Sequence, residues 1–172
     1  NNLRGLILDL RGNGGGDFQA AVRFAERFLP HGVIATTTGQ APDANKIFAP
    51  MPGVPVIDLG LIVLVDAKTA SAAEVVAHAL GDQRRARIIG LPTYGKGSVQ
   101  KVFEFRTAQE VDATGKPKSR GGAIRITLAR IFSPNGQPLS GGLTPHLIVA
   151  NREQQLAIAV QEASSLPTIM RQ

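Results

Sequence analysis

The sequence predicts an α/β fold with a mainly parallel sheet and additional antiparallel strands. Two segments, 6–28 and 61–80, share the order strand, turn of small residues, helix. Successive units of this kind pair as parallel, buried strands whose active sites lie beyond the carboxyl ends of the strands. Two later segments, 99–105 and 123–131, alternate apolar and polar residues, which is typical of antiparallel partners.

The first unit begins with an apolar run at residues 6–10, which predicts a buried strand ended by the glycine-rich loop 12–16. Asp17 is a typical N-cap for a helix over 18–28, whose apolar residues recur on one face. Pro30 and Gly32 follow and end the helix.

The second unit is preceded by a strand at 33–38 and by a segment at 39–54 that is rich in proline and glycine. We expect this segment to be irregular. The run 61–65 is the strongest strand signal in the chain, and it leads into a helix over 71–80. The openings 5–9 and 60–64 are alike in sequence. Two alternative explanations of that likeness stay open: an internal repeat and convergent strand composition.

The second half predicts a short strand at 87–89, followed by the antiparallel pair 99–105 and 123–131. The polar segment 107–122 between the two partners predicts a mobile hairpin tip or a lid. A last helix is expected over 154–164.

The composition suits one domain, because 172 residues with 43% hydrophobic residues are enough to bury a sizeable core. The abrupt opening without methionine predicts a fragment of a longer protein. Cysteine is absent, and His31, His78 and His146 lack the spacing of metal ligands. We therefore expect neither a metal nor a cofactor.

The formal charge of +6 is spread along the chain, with basic groups at 84–87 and 116–120. Aromatic residues do not interleave with these groups, so the pattern indicates a solvated basic face rather than a nucleic-acid site. Such a surface favours acidic partners or lipid headgroups.

Two motifs could carry chemistry. Ser71 opens an apolar helix, and Lys96 lies 25 positions later in a loop flanked by glycines. A serine needs a base to remove its proton, and a lysine serves as that base only when it is neutral. Because the residues on either side of Lys96 include no carboxylate, we expect a desolvated, neutral amine. The backbone N–H of Ala72 and the glycines 14–16 are candidate donors to an oxyanion.

Each motif also has a structural explanation. Ser71 and Glu74 fit a capping box, Lys96 fits a surface lysine, and glycines 14–16 fit a turn. A nucleotide site is a further alternative, because residues 90–96 match the phosphate-loop pattern G-x-x-x-x-G-K. That match then fails, since Gly97 stands where serine or threonine is needed and a strand follows instead of a helix.

Five motifs in order resemble the carboxyl-terminal processing peptidases, also called tail-specific proteases. The segment 8–16 is similar to the family's D-L-R-x-N-x-G-G, and 69–74 is similar to its S-A-S-A-S-E nucleophile motif. The segment 90–100 resembles G-x-x-T-[FY]-G-K-G-x-V-Q, and 131–136 and 142–145 resemble the closing motifs.

The resemblance implies roles for six residues of this chain. Ser71 would be the nucleophile, Lys96 the general base and Gln100 the residue that orients the lysine. Ala72 and Gly15 would supply the oxyanion N–H groups. The resemblance also implies a supporting catalytic role for Asp82.

The resemblance further implies that residues 1–172 form the protease catalytic core, with a crotonase- and ClpP-like ββα fold. A PDZ domain would precede it in the full-length protein. The implied substrates are polypeptides with apolar or unfolded C-termini, and the implied location is the periplasm or cell envelope. An alternative is a non-catalytic module on the same fold that binds an apolar ligand or a peptide.

Overall fold

The structure is a computed structural model that describes residues 3–106, 110–111, 114, 117–118 and 121–165. The helices are α1 (Phe18–Glu26), α2 (Ala72–Asp82) and α3 (Arg152–Ser165). The first five strands are β1 (Gly5–Asp9), β2 (Ala35–Thr38), β3 (Lys46–Phe48), β4 (Gly60–Val65) and β5 (Ala86–Gly90). The others are β6 (Ser98–Arg106), β7 (Glu110–Val111), β8 (Pro117–Lys118), β9 (Gly121–Phe132) and β10 (Leu147–Ile148).

A parallel sheet with the order β1-β4-β5-β10 forms the centre of the fold. Strands β1 and β4, whose first residues are similar in sequence, pair in parallel with Gly5 opposite Gly60 and Ile7 opposite Ile62. Strand β4 is apolar along its whole length because helices cover both of its faces. Leu61, Val63 and Val65 join the core with α1 and α2, whereas Ile62 and Leu64 pack with α3.

A second, antiparallel sheet has the order β3-β2-β9-β6. Its longest pairing joins β6 to β9, with an irregularity between Val99 and Gln100. Ile131 of β9 and Ala35 of β2 belong to the same core as α1 and α2, so the two sheets share one hydrophobic interior. The predicted α/β fold, with a parallel sheet and antiparallel partners, is confirmed.

The structure corrects two sequence-based boundaries. The segment 39–54, expected to be irregular, contains a 3₁₀ turn at Pro42–Ala44 and strand β3, which pairs with β2. Three residues are too few to show a periodic pattern, so β3 escaped prediction. Helix α1 ends at Glu26, before the apolar pair Phe28 and Leu29, which is buried in the core beyond the helix. The expected hairpin tip at 107–122 falls mostly outside the described residues.

Three loops meet at the carboxyl edge of the parallel sheet, where the sequence placed its candidate residues. Asp66, at the end of β4, accepts hydrogen bonds from the backbone N–H groups of Gly12 at 2.9 Å, Lys68 at 2.9 Å and Thr69 at 3.1 Å. Arg152 of α3 lies 3.6 Å from the same carboxylate. Asp66 therefore ties the glycine loop after β1 to the loop that leads into α2.

We expect these contacts to make the fold sensitive to acid. Although burial opposes the shift, the backbone N–H bonds and Arg152 hold the pKa of Asp66 below its ordinary value. A carboxyl group with a lowered folded-state pKa contributes stability above its unfolded-state pKa, and loses it as the pH falls through the folded value. Stability measured by urea unfolding should therefore fall below about pH 4.

Asp66→Asn tests whether Asp66 causes this acid sensitivity, because the substitution keeps the accepting Oδ1 and removes the charge. We expect a loss of about 1 kcal/mol at neutral pH, the difference between a charge-assisted and a neutral hydrogen bond. The slope of stability between about pH 4 and 2 should flatten. Asp43→Asn, at an exposed position, is the matched control. An unchanged slope in Asp66→Asn would contradict the assignment.

Within the described part of the chain, no helix has both the length and the apolar character needed to cross a membrane.

Candidate active site

Three of the predicted residues line one cavity of about 400 Å³ at the carboxyl edge of the parallel sheet: Ser71, Lys96 and Gln100. The other walls come from the start of α1 and from β6 and β9. They are Gly16, Asp17, Phe18, Ser98, Val99, Val102, Arg125 and Ile131. The chain thus brings together groups that are 25 residues apart in sequence, because β4 and β5 are adjacent parallel strands whose ends share one edge.

A larger cavity of about 710 Å³ lies at the opposite edge, beside the first residues of β4 and β5. Arg84, Arg85 and Arg87 line it, and none of the predicted site residues does. We therefore identify the candidate site by the reactive side chains that meet in the smaller cavity, and not by cavity volume.

Ser71 lies at the N-cap of α2 with an unusual backbone, φ 57° and ψ −121°. A residue with a side chain seldom adopts positive φ, and holding it there costs on the order of 1–3 kcal/mol. Gly15 packs directly against this turn. A Cβ at Gly15 would lie 2.8 Å from the Ser71 Cβ and 2.6 Å from the Ala70 carbonyl oxygen. Only glycine allows the glycine loop to approach the serine so closely.

The buried carboxylate of Glu74 holds the serine turn and the lysine loop together. Its Oε2 accepts hydrogen bonds from the backbone N–H groups of Ser71 and Lys96, both at 2.8 Å. Its Oε1 accepts from the Gly95 N–H at 2.7 Å and from the Thr93 hydroxyl. The capping box predicted from Ser71 and Glu74 is present, but three of the four bonds of Glu74 reach beyond the helix to the loop that carries Lys96.

Glu74 is the functional residue whose full role the sequence analysis missed. The missed signal is the carboxylate of Glu74 in a stretch of α2 where ten consecutive residues, 72–81, are buried and His78 is the other titratable side chain. A buried carboxylate needs hydrogen-bond donors from its surroundings. Such a residue therefore indicates a packed polar network rather than a helix cap alone.

Lys96 differs from expectation in two respects. Its neighbourhood does contain a carboxylate, since Glu74 accepts its backbone N–H. Its side chain is also exposed rather than desolvated by the described residues. The neighbours of Lys96 along the chain include no carboxylate, because α2 supplies this one from 22 residues away.

Gln100 lines the cavity on β6, two residues after Ser98. Its side-chain nitrogen donates to the Thr127 hydroxyl of the paired strand β9, at 3.4 Å. The expected role of orienting Lys96 therefore stays a prediction.

The two predicted oxyanion donors have different surroundings. Ala72 is the first residue of α2, so the helix itself offers no acceptor for its N–H. The Gly15 N–H instead donates to Asn13 Oδ1 at 2.9 Å, so it is already occupied. Gly16, the next residue of the glycine loop, lines the cavity. A role for Gly15 as a donor requires that Asn13 release it.

The structure places Asp82 at the far end of α2 from Ser71. Asp82 is the eleventh and last residue of this helix, about 16 Å from Ser71 at the helical rise. Asp82 lies 3.8 Å from His78, and its pKa is held below the ordinary value against burial by His78, Ser133 and Asn135. Asp82 is therefore distant from the candidate reacting groups, and its expected supporting role stays a prediction.

Over the described ranges, no group of three or more His, Asp or Glu side chains is arranged to hold a metal ion.

Glu74→Gln tests the network. An amide nitrogen cannot accept hydrogen bonds, so two of the four donors would lose their acceptor. We expect a loss of roughly 2–4 kcal/mol in the free energy of unfolding, at about 1–2 kcal/mol for each unsatisfied donor. Glu153→Gln, at an exposed position of α3, should change it by less than about 0.5 kcal/mol. Equal urea unfolding curves for the two variants would contradict the network.

Ser71→Gly and Ser71→Ala test the backbone strain. Both remove the hydroxyl, but only glycine accepts positive φ freely. We expect Ser71→Gly to be more stable than Ser71→Ala by about 1 kcal/mol, which corresponds to roughly 2–4 °C in Tm. A glycine variant with the same or lower Tm would show that the turn is not strained.

Comparison with known proteins places these features in a family. A model of peptidase family S41 matches residues 1–149. The chain is 37% identical over 148 residues to the carboxy-terminal-processing protease of Bartonella bacilliformis, covering 86% of this chain and 31% of that protein. It is 36% identical over 137 residues to carboxyl-terminal-processing peptidase 1, chloroplastic, of Arabidopsis thaliana, covering 79% of this chain and 25% of that protein.

A solved structure agrees in both sequence and fold. The photosystem II D1 C-terminal processing protease superposes with a TM-score of 0.67 at 33% identity, covering 86% of this chain and 35% of that one. The chain thus spans a quarter to a third of the length of these relatives. Because the family model covers most of its residues, the chain belongs to peptidase family S41.

Proposed function

We propose that this chain is the catalytic core of a serine endopeptidase in which Ser71 is the nucleophile and Lys96 the general base. The observation that carries the proposal is that both side chains line one cavity while Glu74 binds both of their backbone N–H groups. Membership of a peptidase family supports the same reaction class.

The reaction would proceed through an acyl-enzyme. The neutral amine of Lys96 takes the proton of the Ser71 hydroxyl as Oγ bonds to the carbonyl carbon of the scissile peptide. The resulting oxyanion accepts hydrogen bonds from the Ala72 N–H and from one N–H of glycines 14–16. Collapse of the tetrahedral intermediate breaks the C–N bond, and the lysine passes its proton to the leaving amine. Water then hydrolyses the ester by the reverse sequence of proton transfers.

This role requires that Lys96 lose solvent, and Lys96 is exposed among the described residues. A bound polypeptide would supply the missing cover by displacing water from the cavity of about 400 Å³. Removing water favours the uncharged amine, which is the form that accepts a proton. The base would therefore become active when substrate is bound.

We further propose that the substrates are cleaved near their C-termini, by analogy with the processing proteases that the chain resembles. In the whole protein, a PDZ domain would capture the substrate terminus, and the location would be extracytoplasmic. The remaining two thirds or more of the relatives' length leaves room for such a domain.

A fluorophosphonate probe followed by mass spectrometry tests the dyad. We expect an adduct on Ser71, and a labelling rate about 10²–10⁴-fold lower in Lys96→Ala because the base is lost. Lys68→Ala, which removes an exposed lysine from the loop before Ser71, is the matched control and should label like the unaltered chain.

Three results would overturn the proposal. They are labelling in Lys96→Ala at the control rate, an adduct on another residue, and no adduct either in this chain or in the full-length protein. In the last case, tight binding of an apolar ligand without proteolysis would favour the non-catalytic module.

A further inference from the structure

The larger cavity, of about 710 Å³, lies beside the first residues of β4 and β5, at the edge of the parallel sheet opposite to Ser71. Arg84, Arg85 and Arg87 line it together with Glu162 of α3. These arginines are the basic group at 84–87 in the sequence, and the proposed peptidase reaction does not use them. We refer to this space as the Arg84 cavity. Its volume is within the range of about 300–1,000 Å³ that is typical of ligand pockets.

Arg84 has a backbone conformation that favours glycine. It follows Gln83, the C-cap of α2, and its φ is 55°. Its N–H donates to the Gly81 carbonyl at 2.9 Å, and the N–H of Arg85 donates to the Leu80 carbonyl at 2.9 Å. This pair of bonds forms the Schellman motif, in which the residue after the cap is usually glycine. An arginine at this position is strained, and strain of this kind is concentrated at ligand-binding and catalytic sites.

The side chains of the two consecutive arginines have different surroundings. Arg85 donates to three backbone carbonyls: its Nε to Phe28 at 2.9 Å, and its Nη2 to Ile57 at 2.6 Å and to Leu59 at 2.8 Å. Arg85 therefore ties the end of α2 to two other segments of the fold. Within the part of the chain that the structure describes, the guanidinium of Arg84 makes neither a hydrogen bond nor an ion pair. No contact of its side chain accounts for an arginine at the strained position.

The wall of the Arg84 cavity has an excess of positive charge. The Arg87 Nε lies 3.1 Å from an oxygen of Glu162, which is the single acidic residue of the wall. The charges of Arg84 and Arg85 therefore stay uncompensated within the wall. Asp58 attracts Arg85 from outside the wall, but burial still holds the pKa of Arg85 below its ordinary value. An anion in the cavity would stabilise both guanidinium charges.

His146 adds a neutral donor to the same wall. Its Nδ1 accepts a hydrogen bond from the N–H of Ile88 at 2.9 Å. The proton of the neutral ring therefore lies on Nε2, which can donate to an anion.

We propose that the Arg84 cavity binds the phosphate group of a free phosphate ester or of an anionic lipid headgroup. A guanidinium matches two phosphate oxygens with parallel hydrogen bonds. A phosphate monoester carries about 1.5–2 negative charges at neutral pH, which matches the excess left by Arg84 and Arg85 better than a single carboxylate does. The inference does not depend on the peptidase reaction, because Ser71 and Lys96 line a different cavity.

Isothermal titration calorimetry with inorganic phosphate, at constant ionic strength, tests the site in this chain. Arg84→Gly removes the guanidinium and places the favoured residue at the strained position. We expect its affinity for phosphate to fall about tenfold or more, because a charge-assisted contact is lost. Its Tm should rise by about 2–4 °C as the strain is relieved. Since this variant is expected to be the more stable one, unfolding would not explain the loss of binding.

Two further variants sharpen the test. Arg27→Gly is the matched control, because it removes the same charge from an exposed position at the C-cap of α1 that does not line the cavity. Its affinity should stay within about twofold of the unaltered chain, since salt screens charges outside the site. Glu162→Gln removes the one carboxylate of the wall and releases Arg87, so it should tighten binding.

Co-sedimentation with vesicles distinguishes the two sources of the phosphate group. If the ligand is a lipid headgroup, vesicles of phosphatidylcholine with phosphatidic acid should bind the unaltered chain and Arg27→Gly but not Arg84→Gly. Binding of inorganic phosphate without binding to these vesicles would indicate a free phosphate ester. The site would be overturned if neither phosphate nor vesicles bind. Equal losses in Arg84→Gly and Arg27→Gly would also overturn it, because they would show a general effect of surface charge.

Discussion

The buried carboxylate of Glu74 is the constraint on which the candidate site depends. It is fully buried, and it accepts four hydrogen bonds from the serine turn and from the loop after β5. Removing such a charge from water is costly unless donors surround it. Burial of this carboxylate therefore favours a fold with both segments in place, and the same interaction positions the backbones of Ser71 and Lys96.

The parallel sheet makes this arrangement possible. Strands β4 and β5 are paired neighbours joined by α2, so the loops that follow them open at the same edge. Asp66 then adds the glycine loop after β1, and the Thr69 hydroxyl donates to the Leu10 carbonyl at 2.8 Å between the same two segments. The β1, β4 and β5 loops are thus held together by hydrogen bonds to the side chains of Asp66, Thr69 and Glu74. Such preorganisation is what acyl transfer needs from its oxyanion donors and its nucleophile.

Patterns local in sequence predicted most of this fold, and contacts distant in sequence account for what they missed. Apolar runs and helical periodicity identified β1, β4, α1, α2 and the β6–β9 pair, because each is long enough to show its period. Strand β3 has three residues and forms by pairing with β2. Family motifs predicted Ser71, Lys96 and Gln100, which line one cavity. Asp82 lies outside the five motifs, and the length of α2 separates it from Ser71 by about 16 Å, a distance that the sequence alone does not reveal.

The position of Lys96 bears on the proposed catalysis, because this residue is exposed among the described residues. In the proposed mechanism, a polypeptide bound in the cavity of Ser71 covers this residue and displaces water from it. Displacing water favours the uncharged form of an amine in general. Binding energy from parts of the substrate that do not react would then raise the reactivity of the groups that do. Substrate binding and base activation would therefore have the same origin.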